Sequence, residues 1–293
     1  MEFYPHDASN AADANACAAI SLRIDLIVHH SCCKPAISNA NLGQLTLDLV
    51  INTLLQIGDK FGAKLTRVGH LLSQVAPPIA GSAAFTGQHG LCLNLEVYQC
   101  KEKNLTIIQQ RALVLPGRAR AFVQEILDWA ITSKVATLGV IAGCDDMLRH
   151  DRNMISRPIR TICSSDQLVG ECLTRFEGLA ISASGALEVI ETSSLSTDQW
   201  TLIRGAGLAP LLHAQCDEKK VPFIAWVMPC AEGNNVPDAI AMTTQLFRSL
   251  RIDLQPTKTV ASMPLSTSPT LSFAFPHSWN QLFGRSPDVS LYL

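Results

Sequence analysis

Asp145 and Asp146 come shortly after the apolar run at 135–142, with Gly143 in between and His150 and Asp151 a few residues on. Carboxylates and a histidine at the carboxyl end of a buried strand are the groups that general acid–base chemistry uses, and ligand clefts in open α/β sheets form at that end. A phosphorylase- or hydrolase-like reaction in the 143–151 loop, carried by Asp145, Asp146 and His150, is therefore the enzymatic reading of this chain. A paired carboxylate in a polar loop is more commonly a solvated turn, and no further residue completes a set. His29-His30 and Cys32-Cys33 offer metal-ligand types. Neighbours on a strand point to opposite faces, however, so at most one of each pair can join a site. Gly205-Ala206-Gly207 begins like a dinucleotide fingerprint, but Pro210 holds the sixth position and no acidic residue follows at the ribose distance; a tight turn opening a helix remains. The G-x-S-x-G, P-loop and H-E-x-x-H patterns do not occur. The residues assign no catalytic set, no metal site and no cofactor.

The elements that must position any site alternate between strand and helix. Residues 21–30 are mostly apolar and long enough for a strand. Residues 41–57 carry one helical stripe, Leu42, Leu45 and Leu49, and a second, Leu47, Val50, Ile51 and Leu54. A helix apolar on two sides is buried on two sides, either within its own chain or against a partner. A short strand over 64–69 and a Pro/Gly loop over 77–90 follow. Residues 91–98 alternate with period 2 and residues 105–115 are strand-like, and the charged link 101–104 between them predicts a hairpin. Residues 117–133 form a helix with Phe122, Ile126 and Trp129 on one face. The continuous apolar runs 135–142 and 221–228 suit central strands covered on both faces. Residues 178–182 and 187–191 are weaker strand candidates, and 233–250 opens a helix with Pro237 and Asp238 in its first turn. The pattern predicts an α/β fold: a mixed, largely parallel sheet with helices on both faces.

Organisation and composition narrow the function. Residues 1–20 contain Glu2, Asp7 and Asp13 and no Lys or Arg, which reads as a flexible acidic lead-in rather than a secretory signal. The α/β unit covers 21–254. Residues 255–293 begin with a Pro/Ser/Thr-rich linker to 272, continue with a short amphipathic piece over 275–283 and end in Leu291-Tyr292-Leu293. With 47% hydrophobic residues, the 293-residue chain can build a sizeable core. A net charge of −2, with no basic run, argues against nucleic acid. No stretch of 18 apolar residues exists to span a membrane. The ten cysteines are scattered without a C-x-x-C pair, as reduced, structural thiols of a cytoplasmic or nuclear protein would be.

Three segments carry a family resemblance. Asn41-Leu42-Gly43-Gln44-Leu45 with Asp48-Leu49 resembles the N-V/L-G-Q-L-A/T-x-D-L segment after the first strand of the proteasome assembly chaperone 2 family. The stretch 232–239, from Glu232 to Ala239, resembles that family's E-G-D-N-x-P-D-A, with Asn234 in place of aspartate. Pro276-x-Ser278-Trp279-x-x-Leu282-Phe283-Gly284 is similar to its C-terminal P-x-S-W-x-x-L-F-G. The three occur in the family's order and cover about 22–293.

The resemblance implies a nucleoside-phosphorylase-like α/β fold without that enzyme's active site, plus a flexible C-terminal tail. It implies a non-enzymatic chaperone of 20S proteasome assembly that pairs with proteasome assembly chaperone 1. Such a heterodimer binds the α-ring of the immature core particle, promotes ring assembly and hinders premature activator docking. Leu42, Leu45 and Leu49 are then candidate contacts for the partner. Leu291, Tyr292 and Leu293 look like a hydrophobic–Tyr–X tail that enters pockets between α-subunits, and the 255–272 linker gives that tail its reach.

Overall fold

A computed structural model describes residues 1–6, 24–29, 41–145, 159–163, 200, 203–250, 252 and 273–281. Along the chain these form β1 (Glu2–Pro5), β2 (Ile24–His29), α1 (Leu42–Ile57), β3 (Thr66–Leu72), β4 (Ala80–Ser82) and β5 (Leu91–Leu93). Then come β6 (Glu96–Cys100), β7 (Leu105–Gln109), α2 (Ala119–Thr132), β8 (Val135–Asp145), β9 (Arg160–Cys163), α3 (Ala209–Lys219), β10 (Phe223–Cys230) and α4 (Val236–Ser249), closed by a 3-10 turn at His277–Gln281. The weaker candidates at 178–182 and 187–191 and the 255–272 linker lie outside the described residues.

The main sheet runs β1-β3-β6-β7-β2-β8-β10-β9. The predicted 135–142 and 221–228 runs lie inside it as β8 and β10, paired in parallel with Val140 opposite Ala225. Side chains alternate along both strands. Leu138, Val140, Ala142, Phe223, Ala225 and Val227 enter one core, beneath α2 and α3. Ile141, Ile224, Trp226 and Met228 enter the other, beneath α1 and α4. Strands apolar on both faces are therefore covered on both faces, as the unbroken runs demand.

Several expectations are corrected. The sheet is mixed but not largely parallel: β7, β2, β8 and β10 form a parallel centre, while β1–β3, β3–β6, β6–β7 and β9–β10 are antiparallel. The tight 101–104 turn, with Asn104 at φ 51°, returns the chain at once and so makes β6–β7 antiparallel. The lead-in is not free at its start, because Glu2–Pro5 pairs with β3 at the sheet edge. Gly69 permits this, since a Cβ there would collide with the Tyr4 carbonyl oxygen and the Phe3 ring.

The predicted strand over 91–98 is two strands. Leu95 at φ 56° breaks it, so that 91–93 pairs with β4 in a separate ribbon and 96–100 joins the main sheet. The strand over 105–115 stops at Gln109, because the next backbone donors turn elsewhere: Arg111 and Ala112 N–H both donate to Asn94 Oδ1, at 2.9 and 3.1 Å.

The largest correction concerns α1. Leu42 and Leu49, offered as partner contacts, are fully buried within the chain. The sheet covers one side of the helix and α4 the other, with Thr243 Oγ1 donating to the Thr46 carbonyl at 3.4 Å across the helix pair. The two stripes are thus used up inside the molecule, and of the three leucines only Leu45 keeps some exposure.

Candidate binding cleft

The C-terminal end of β7 and the first turns of α1 bring a buried ion pair together. Gln109 closes β7, and Arg111 lies two residues beyond. Arg111 Nη1 stands 2.8 Å from Asp48 Oδ1 and 3.1 Å from Oδ2. Gln109 Nε2 donates to Asp48 Oδ1 at 2.8 Å and to the Gln44 carbonyl at 3.3 Å. The guanidinium lies over the Phe85 ring, 5.2 Å from its centroid. Asn94 braces the arrangement, accepting the two backbone bonds that turn the Arg111 segment and donating to the Pro77 carbonyl at 2.9 Å. Burial pushes the Asp48 carboxyl above the usual carboxylate range, with Arg111 and Gln109 pulling the other way. Burial also works against the Arg111 charge, but the anionic surroundings led by Asp48 more than offset it and its pKa rises.

A second carboxylate lies alongside. Glu96 accepts from Tyr98 Oη at 2.9 Å and from the Cys92 thiol at 3.4 Å, and faces Arg67 Nη1 at 3.3 Å. Burial, with Glu96 nearby, holds the Cys92 thiol up at about 11.

Residues 273–281 close the arrangement from the far end of the chain. Asn52 Nδ2 donates to the Ala274 carbonyl at 2.7 Å, and Ala274 N–H donates to Thr53 Oγ1 at 3.2 Å. The same Asn52 accepts from Thr86 N–H at 3.0 Å, so one side chain ties two loops to α1. Trp279 is buried beside Asp48, and Phe273 packs on Phe247 of α4 at 6.0 Å. Between this strap, α1 and the β4–β5 ribbon lies an open cleft of about 350 Å³, walled by Leu45, Asp48, Ile79, Ala84, Arg111 and Trp279 among others.

Two of the three motif segments therefore meet at one place: Asp48 from the first and Ser278 and Trp279 from the third line the same cleft. The second opens α4, where Asn234 Oδ1 accepts the Val236 N–H at 3.1 Å, so asparagine still serves as a helix-start acceptor. The sequence does not single out Arg111 or Gln109, and nothing in the spacing pairs either with Asp48.

The other predicted site residues fare differently. Asp145 ends β8, its N–H donating to the Arg204 carbonyl at 2.8 Å. Asp146, His150 and Asp151 lie outside the described residues, as do His30, Cys32, Cys33, Leu291, Tyr292 and Leu293. The Gly205-Ala206-Gly207 stretch is a turn into α3, with φ of 82° and 69° at the two glycines. Cys92, Cys100, Cys144, Cys216 and Cys230 are buried thiols. Among the described residues no cluster of His, Cys, Asp or Glu is placed to hold a metal, and no helix is long and apolar enough to cross a membrane.

No family model matches the chain. It is similar to proteins named Proteasome assembly chaperone 2: 25% identical over 267 residues to that of Homo sapiens, spanning 88% of this chain and 93% of the relative. It is 27% identical over 254 residues to that of Danio rerio, spanning 85% and 90%. Two solved structures from Pyrococcus furiosus share the fold. PbaB, an archaeal proteasome activator, is 14% identical with a TM-score of 0.51, covering 80% of this chain and 86% of its own. The monoclinic form of PbaA, an archaeal homolog of proteasome-assembly chaperone, is 13% identical with a TM-score of 0.51, covering 79% and 78%. The resemblance first read from three short segments extends over nearly the whole chain.

Proposed function

We propose, from this kinship with proteasome assembly chaperone 2, that the chain is a non-enzymatic chaperone of 20S proteasome assembly. In this reading it works in the cytoplasm and nucleus as a heterodimer with proteasome assembly chaperone 1. The pair holds the α-ring of the immature core particle, promotes ring assembly and hinders premature activator docking. Leu291, Tyr292 and Leu293 supply the docking tail. The observation that carries the reading is the near full-length similarity to relatives of that name. It is supported by the way motif segments far apart in sequence form one structural unit of α1, α4 and the strap.

With Leu42 and Leu49 enclosed, Leu45 is the one of the three leucines that keeps exposure to offer a partner. The test is capture of the tagged full chain from its native cells under non-denaturing conditions, with every bound chain identified. Chaperone 1 together with α-subunits of immature particles is the expected result. A chain that recovers neither, while folded and soluble, overturns the proposal.

A further inference from the structure

We draw no further inference here: the strongest candidate, the exposed apolar surface around Leu72 and Ile79 where β3 meets the β4–β5 ribbon, carries none, because nothing in the structure shows what covers it.

Discussion

Arg111 grips both oxygens of Asp48 through a single nitrogen, Nη1, instead of the two-nitrogen fork an arginine usually offers a carboxylate. The pair is buried, with side-chain exposures of 14% and 7%, so each charge depends on the other. Arg111→Ala leaves the carboxylate buried and uncompensated and should cost about 3–5 kcal/mol. Replacing both, Asp48→Leu with Arg111→Met, removes the desolvation problem and should fall within about 2 kcal/mol of the parent. Urea unfolding of the two variants decides it; a double variant as unstable as Arg111→Ala would show that the pair is a net stabiliser.

The buried thiols set an alkaline limit. Burial holds Cys216 at about 12 and Cys92 and Cys100 at about 11. The unfolded chain releases these protons near pH ~8.5. Between that value and the folded pKa the native state holds more protons than the unfolded state, so stability falls as pH rises. For Cys216, fully buried on α3, the slope approaches about 1.4 kcal/mol per pH unit. Unfolding measured from pH 8 to 11 should show this decline, and Cys216→Ala should flatten it; an unchanged slope in that variant rejects the assignment.

Trp279 anchors the strap to the body. Trp279→Ala should destabilise that contact by about 3–5 kcal/mol, as large-to-small changes in a packed site do. Asn52→Ala, which unties both Ala274 and Thr86, should act in the same direction through unpaired backbone groups. Limited proteolysis gives the readout. Cleavage near Phe273 and Phe275 should accelerate in both variants while α2 and α3, on the opposite sheet face, stay protected. Equal acceleration across the whole chain would mean that the strap is part of the global unit and not a separable contact.

Tyr292→Ala, or one residue added after Leu293, should weaken binding to immature 20S particles by roughly tenfold or more. A buried tyrosine is a frequent hot spot, and a carboxylate can accept charge-assisted bonds from a pocket lysine. Pairing with chaperone 1 should be unaffected. Pull-downs with immature particles and with chaperone 1 separate the two effects. An extended chain that binds particles as well as the parent shows that the carboxylate is not engaged.

Periodicity revealed α1, α2, α4 and the two central strands, because burial on one or two faces writes itself into residue spacing. It could not reveal where α1's second stripe would be buried, since a partner and α4 offer the same apolar environment to Leu42 and Leu49. The break at Leu95 was hidden because a positive φ at leucine leaves no compositional mark, whereas the glycines at 205 and 207 announce theirs. Strand β1 is legible only through its partner: four residues with a terminal proline say little until β3 supplies the ladder. The Asp48–Arg111 contact joins residues 63 positions apart, beyond any local pattern. Only the resemblance drew attention to both Asp48 and Trp279, and it named them without saying that they meet.

In the proposed role, the strap also resets the leash on Leu291-Tyr292-Leu293. Measured from the end of the α/β unit at Leu254, Leu291 is 37 residues away, a maximum reach of about 125 Å. With residues 273–281 fastened to α1 through Ala274 and Trp279, the count starts at Gln281 and only ten residues remain. The tether then spans about 35 Å at full extension. The 255–272 linker, whatever its length, drops out of the distance that the tail can cover. If the body sits on an α-ring as proposed, it serves only those pockets within that radius of the strap; lengthening 282–290 should then widen the choice of pocket where lengthening 255–272 should not.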